Sequence, residues 1–197
     1  VRPDLDIAAQ MVGRSVRVLD LGCGDGALLE HLIEQQECTG LGVELDSDDF
    51  HGCIARGVPV THGDLEREIE LIEDGAFDVA VLSLTLQAVR RPDHVLSEMQ
   101  RVAGRMVVSF QNFGHLRLRA RLALGGRAPA SDAPEHRWYD TPKIHPCTIA
   151  DFEQLAAELG LVVKSRVVTG RRGRTLSPLA AQLPNLLAAE AVYSLHG

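Results

Sequence analysis

Three features of the sequence predict an α/β fold, a mostly parallel sheet with helices on both faces. Apolar runs of strand length alternate with segments of helical period four or five times in the first 110 residues. These runs are nearly continuous rather than alternating, as in strands covered on both sides. A glycine-rich turn ends the first run and opens a helix. The 197 residues, 45% hydrophobic and 24% charged, suit one domain, 1–197, with a core that needs no disulfide or metal staples.

The elements follow in order. Residues 3–13 read as a short helix with Pro3 in its first turn. Val16 to Leu21 is the first strand. Gly26 to Gln36 is helical, with Ala27, Leu28, Leu29, Leu32 and Ile33 near one stripe. Thr39 to Glu44 is a second strand, and Ser47 is placed to cap a helix reaching Arg56. Val58 to Thr61 is short and β-like, and a weaker segment follows it. Phe77 to Leu84 is a buried strand. Pro92 opens a helix to Ala103 whose apolar stripe is Val95, Leu96, Met99 and Val102, and Arg105 to Phe110 is the next strand.

The second half is looser. Phe113 to Leu124 reads as an Arg-rich helix stopped by Gly125-Gly126. Residues 125–147 hold four prolines and no period, so they read as an extended loop. Thr148 and Asp151 have the spacing of a capping box, and the helix they start carries Ile149, Phe152, Leu155, Ala156 and Leu159 before Gly160. Leu161 to Val168 is a strand, residues 170–174 form a basic turn, and Ala188 to Leu195 closes the sheet.

Composition excludes several classes. No apolar run approaches the roughly 20 residues of a spanning helix, and Val1 to Asp6 lacks the apolar stretch of a signal peptide. Cys23, Cys38, Cys53 and Cys147 form no CxxC pair, so reduced thiols of a cytoplasmic protein are expected, without zinc or a disulfide framework. Residues 1–100 hold 20 acidic against 7 basic side chains, while residues 101–175 hold 6 against 13. The formal charge of −7 argues against a general nucleic-acid binder, yet the chain is electrostatically two-faced.

The chemistry sits in Val18-Leu-Asp-Leu-Gly-Cys-Gly-Asp-Gly26. Glycines there permit a tight turn and the close approach of a ligand to backbone N–H groups at a helix start. The spacing Gly22-x-Gly24-x-x-Ala27 also fits a dinucleotide fingerprint, so glycines alone decide little. The acids decide more. Asp20, at the strand's carboxyl end, would repel a pyrophosphate and attract an ammonium or sulfonium group. Glu44 ends the second strand, where an acceptor takes both hydroxyls of a ribose. Asp64, in Gly63-Asp64-Leu65, either accepts from an adenine amino group or caps the segment after it. Three acids at successive strand ends suit a cationic nucleoside without phosphate. S-adenosylmethionine has that character and NAD does not.

Asp20-x-Gly22-x-Gly24-x-Gly26, Glu44, Gly63-Asp64 and Phe77-Asp78 resemble the cofactor half, residues 14–110, of class I S-adenosylmethionine-dependent methyltransferases. Leu84-Thr-Leu-Gln-Ala-Val89, Val108-Ser-Phe-Gln-Asn-Phe-Gly-His115 and the string from Trp138 to Phe152 resemble the MetW family of methionine-biosynthesis proteins. The resemblance implies a Rossmann-like seven-stranded, mostly parallel sheet with an antiparallel last strand ending Ala-Glu-Ala-Val-Tyr193. It implies a site for S-adenosylmethionine or S-adenosylhomocysteine made by Asp20, Gly22, Cys23, Gly24, Glu44, Leu45, Asp64, Leu65 and Ser83. It also implies a role beside homoserine O-acyltransferase (MetX) in methionine synthesis, with a small-molecule methyltransferase as the alternative.

Methyl transfer to a protonated acceptor often needs a base. The stretch after the fourth strand, Ser83-Leu-Thr-Leu-Gln87, offers none, although Gln87 has the chemistry to bond a cofactor carboxylate or a substrate. The remaining candidates, assigned to the proline-rich loop, are His115, Tyr139, Asp140 and His145, of which Tyr139 and His145 could act as a His–Tyr pair; the preferred, plainer reading makes Trp138 and Tyr139 a lid and His145 a backbone partner and leaves the catalytic residue unassigned. Arg117, Arg119 and Arg121 alternate, so on a helix they spread over about 200°. With Arg127, Arg137, Arg171, Arg172 and Arg174 they lack the aromatic interleaving of single-strand binders. They make the second half, 111–197, the acceptor- or partner-facing half: a solvated face, a docking surface for an acidic protein, or, third in order, an anionic-substrate or nucleic-acid site, with no nucleic acid and no membrane expected.

Overall fold

Val18, Leu19 and Leu21 are fully buried, which fixes β1 (Arg17–Leu21) near the middle of the sheet. β1 pairs in parallel with β2 (Thr39–Glu44) on one side and β4 (Phe77–Ser83) on the other. β3 (Val60–His62) lies outside β2, and β5 (Ala103–Gln111) continues beyond β4. The last strand, β7 (Glu190–His196), inserts between β5 and β6 (Val162–Thr169) and runs antiparallel to both. The order is β3-β2-β1-β4-β5-β7-β6, so six strands share one direction and only β7 opposes them. The computed structural model describes residues 3–126, 141, 143–170, 173–177 and 180–197.

The near-continuous apolar runs are explained by the two faces. Successive strand side chains point to opposite sides. Val18, Val79, Val81, Val107 and Val192 meet α1 (Pro3–Val12), α2 (Ala27–Gln36) and α3 (Ser47–Arg56). Their neighbours Leu19, Leu21, Ala80, Leu82, Met106 and Val108 meet α5 (Pro92–Val102) and α7 (Ile149–Glu158). Phe110, Phe152 and Tyr193 cluster on that second side, with ring centroids 4.7–5.9 Å apart. The Tyr193 hydroxyl donates to Glu153 Oε1 at 2.8 Å, and burial pushes the phenol pKa up.

Several expectations are corrected in detail. Asp46, not Ser47, caps α3, its carboxylate accepting from the N–H groups of Asp48 and Asp49. The third strand begins two residues later than Val58, because its register is set by Gly42–Glu44 of β2. The weak segment after it contains a single turn, α4 (Leu65–Glu68), and a 3-10 turn, Ile69–Leu71. The Arg-rich helix, α6 (Leu116–Gly125), starts three residues late, because Asn112 Oδ1 accepts from Gly114 N–H and holds that stretch in a turn. A short helix, α8 (Pro184–Leu187), precedes β7. The extended loop falls largely outside the described residues; Gly125 belongs to α6, and residues 143–147 are neither helix nor strand. Arg171 and Arg172 of the basic turn also lie outside them.

The capping box is present: Thr148 Oγ1 accepts from Asp151 N–H at 3.3 Å, and Asp151 Oδ2 accepts from Thr148 N–H at 2.8 Å. Replacing Thr148 with alanine is expected to cost about 1 kcal/mol, read as a lower urea midpoint at constant slope. At the start of α5, Arg91 pairs bidentately with Asp93 and holds its carboxyl down at about 2. A depressed carboxylate stabilises above its unfolded range and loses that contribution as pH falls through the folded value. An Arg91→Ala variant is expected to return Asp93 toward the ordinary aspartate range in an NMR titration, with little change in stability because both side chains are exposed.

Candidate functional site

Strand order reverses between β1 and β4, since the chain winds outward to β2 and β3 and then returns to β4. In an open sheet of this kind ligands bind beyond the carboxyl ends of the strands at that reversal. Asp20, one residue before the end of β1, lies there 1% exposed, and Ser83 ends β4. Between and beyond them opens a cavity of about 1060 Å³.

The glycine turn shapes its mouth. Gly22, Gly24 and Gly26 all have left-handed backbone, φ +69°, +57° and +80°. At Gly22 a Cβ would come within 2.7 Å of Thr85 Cγ2, so the position demands glycine twice over. At Gly24 the space a Cβ would enter is open for 4 Å, which leaves a cradle beside bare backbone. The N–H groups of Gly22 and Cys23 both donate to Val43 O, folding the turn over β2. Leu84, directly after Ser83, is also left-handed at φ +56°, a strained conformation for a leucine, and its N–H donates to Ser109.

Glu44 locks this arrangement. Its Oε2 accepts from Gly24 N–H at 2.8 Å, and its Oε1 accepts from the N–H groups of Leu45 and Asp46, each at 2.8 Å. One carboxylate at the end of β2 thereby ties the turn after β1 to the turn after β2. Asp64 caps α4, its Oδ1 accepting from Glu66 N–H.

Of the residues expected from sequence, Asp20, Gly22, Cys23, Gly24 and Ser83 line the cavity. Glu44 reaches it through Gly24, whereas Leu45, Asp64 and Leu65 lie at the ends of β2 and β3 outside its wall. Tyr139, with Trp138 and Asp140, lies outside the described residues. His145 is not in this cavity. It sits on a separate one of about 280 Å³ with Leu86, Cys147 and Phe152, and its ring Nε2 meets Arg90 O at 3.1 Å. His115 caps α6, its Nδ1 accepting from Arg117 N–H. Gln87 is 1% exposed and turned inward, exchanging hydrogen bonds with the backbone of Gln111. It is a strut between the ends of β4 and β5, which corrects the expectation of a bond to a cofactor carboxylate or a substrate.

Asp25, Glu30, His31, Glu34, Asp49, Arg56 and Leu5 also line the cavity and were not expected. Arg56 bridges Asp25 and Glu30, each at 2.7 Å, and the exposed end of α3 supplied no sequence pattern for that pairing. The field is strongly acidic. Partial burial and the neighbouring Glu44, Asp46 and Asp25 hold the Asp49 carboxyl above its usual range. Burial, then Asp20, pushes the Cys23 thiol well up. Such a wall favours a cation and disfavours a pyrophosphate. Among the described residues no cluster of three or more His, Cys, Asp or Glu is placed to hold a metal ion, and no helix is long and apolar enough to cross a membrane.

Comparison with known proteins matches residues 2–195 to the family described as methionine biosynthesis protein MetW. The chain is 31% identical over 203 residues to the bifunctional methionine biosynthesis protein MetXA/MetW of Rhodopirellula baltica, covering 98% of itself and 32% of that relative. It therefore spans about a third of the curated relative's length. Among solved structures it resembles an S-adenosylmethionine-dependent methyltransferase of Mesorhizobium loti, with TM-score 0.69 and 19% identity over 99% of this chain and 96% of that one. A SAM-dependent methyltransferase of Archaeoglobus fulgidus aligns with TM-score 0.67 and 15% identity over 98% and 94%. At these identities the two structures establish the fold.

Proposed function

This chain belongs to the MetW family of methionine biosynthesis proteins, and on that premise we propose that it binds S-adenosylmethionine, or S-adenosylhomocysteine, as an accessory or regulatory partner of homoserine O-acyltransferase. The observation that carries the cofactor reading is the acidic cavity at the strand reversal, with Asp20 on its wall and Glu44 fixing its glycine turn. Asp20 would attract the ammonium and sulfonium of the ligand, and the open cradle at Gly24 would admit it to the backbone. Three of the roughly four acceptor positions on Glu44 are already used, which leaves about one strong bond for the ribose rather than two. Leu45, Asp64 and Leu65, at the adjoining strand ends, would border the base.

When bound, S-adenosylmethionine carries a transferable methyl on its sulfonium. The accessory reading is favoured over catalysis by what stands near that position. Gln87 is committed to Gln111, the Ser83 hydroxyl lies 3.2 Å from the Ser109 hydroxyl, and Thr85 Oγ1 donates to Ser83 O. None of these three side chains is a base, and the carboxylate assigned to the sulfonium, Asp20, serves there as its counter-charge. The relative whose name joins MetXA and MetW supports association, because one chain keeps two modules at high effective concentration. The Arg-rich second half would meet the acyltransferase, and Arg117, Arg119 and Arg121 on α6 and Arg174 are exposed for that purpose. A site for the pathway's end product on such a partner would report methionine status to the acyltransferase.

Calorimetry with both nucleosides tests the shared premise: a saturable heat is expected, and none at millimolar ligand would overturn it. Homoserine acylation rates with and without this chain test the partner half. An acyltransferase that neither co-purifies with it nor changes rate would overturn that half alone.

A further inference from the structure

Two of the four cysteines lie against each other at the edge of the large cavity. Cys23 Sγ, in the glycine turn, is 3.7 Å from Cys53 Sγ, in the middle of α3. Cys23 lines the cavity, while Cys53 is fully buried beneath it. Two glycines make the room. A Cβ on Gly42 would come within 2.6 Å of Cys23 Sγ, and one on Gly26 within 2.9 Å of Cys53 Sγ. Cys53 S–H donates to Gly24 O at 3.1 Å, so this thiol also helps hold the turn that cradles the site.

We propose that Cys23 and Cys53 form a redox-active dithiol, closed to a disulfide by thiol–disulfide exchange with a small disulfide oxidant, and shielded when the cavity is filled. Access fixes the order of events. The Cys23 thiolate, reached through the cavity, attacks one sulfur of an oxidant such as oxidised glutathione and releases the first glutathione thiol. Cys53, already in contact, then attacks Cys23 in the mixed disulfide and releases the second. Two protein thiols lose two hydrogens, and one glutathione disulfide becomes two glutathione thiols. The product staples the glycine turn to α3 and removes the S–H that bonds Gly24 O. Oxidation and ligand binding therefore oppose each other, and by linkage each weakens the other equally. Burial, then the surrounding carboxylates, keeps Cys23 protonated, and the carboxylates also oppose an anionic oxidant, which makes the exchange slow near neutrality and faster as pH rises.

The shielding half rests on the cofactor reading; the dithiol half does not. The test uses the full chain, reduced, then incubated with oxidised glutathione, alkylated under denaturing conditions and cut by a glutamate-specific protease, which separates the three nearby cysteines at Glu30, Glu37 and Glu44. A Cys23–Cys53 cross-linked peptide is expected, with Cys38 and Cys147 alkylated. Cys53→Ser is expected to trap glutathione on Cys23, and Cys23→Ser to leave Cys53 alkylated only. Alkylated Cys23 and Cys53 in the native sequence, or glutathione on Cys53 in the Cys23→Ser variant, would overturn the dithiol. S-adenosylhomocysteine, at a concentration shown by calorimetry to saturate, is expected to slow cross-linking at least tenfold; an unchanged rate would overturn the shielding. Cross-linking without any binding heat would instead retire the cofactor reading and leave the dithiol standing.

Discussion

Replacing Asn112 with leucine is expected to lower the unfolding free energy by about 3–4 kcal/mol, the largest loss of stability from any single polar side chain described above. Asn112 is 1% exposed and uses both ends of its amide. Its Oδ1 accepts from the N–H groups of Gly114 and Ile149, at 2.9 and 3.3 Å, and its Nδ2 donates to Ala188 O at 2.8 Å and Asn185 O at 3.2 Å. One side chain thus joins the end of β5, the start of α7 and the turn into β7. Leucine fills the volume but strands these groups away from water, and each orphan costs about 1–3 kcal/mol. Urea unfolding reads the loss. An Asn112→Asp change separates the two ends, because it keeps the acceptor and replaces the donor with a second oxygen facing Ala188 O. The introduced carboxyl is favoured protonated in the folded protein, so its folded pKa lies above its unfolded one. That variant is expected to be most stable below the unfolded pKa and to lose stability as pH rises through the folded one. A flat pH profile, or a leucine variant of native stability, would show that water reaches this turn.

Such residues mark where a linear reading stops. The strands β1, β4 and β5, the helices α2 and α5 and the glycine turn were legible because their signals are local: unbroken apolar runs, a 3.6-residue stripe, glycines between them. Where two local signals competed, the neighbour won, as with Asp46 over Ser47 at the start of α3. β3 moved because a three-residue strand is placed by its partner, and α4 was missed because one turn has no period. Gln87 and Asn112 were quoted in motifs, yet their work is to bond backbone 24 to 76 residues away, which no spacing reveals.

The site was legible in part for the same reason. Asp20, Glu44 and Asp64 stand at or next to strand ends, where chain order alone places them on one edge of the sheet, although Asp64 lies outside the cavity wall. Asp64 also fulfils the plainer reading, as the cap of α4. The rest of the wall comes from helix faces folded over the turn. With Asp25, Glu30, Glu34 and Asp49 beside Asp20, more of the acidic first half belongs to the cavity than the strand ends alone indicate. The charge asymmetry is thus partly a local field around one cavity, which Arg56 offsets at a single point.

Glu44→Ala is expected to weaken S-adenosylhomocysteine binding at least 100-fold, about 2.7 kcal/mol, while costing the fold only about 1–2 kcal/mol. The two effects separate because of where the orphaned donors lie. Leu45 and Asp46 belong to an exposed turn, so water can reach their part-buried N–H groups once the carboxylate is gone. Gly24 N–H is part-buried at the mouth of the cavity, and losing its acceptor frees the turn that must present backbone to the ligand. On the proposed nucleoside reading, the ribose would lose its acceptor in the same step. Glu44→Gln divides these contributions. A glutamine oxygen still satisfies Leu45 and Asp46, but its NH₂ then faces the Gly24 N–H, donor against donor. Stability close to native with affinity reduced about 10- to 100-fold is expected for that variant. Calorimetry and urea unfolding on both variants give the four numbers. Native affinity in Glu44→Ala would place the nucleoside away from β2. A parallel collapse of stability and affinity in Glu44→Gln would make Glu44 a strut of the fold and leave Asp20 as the acid that selects the ligand.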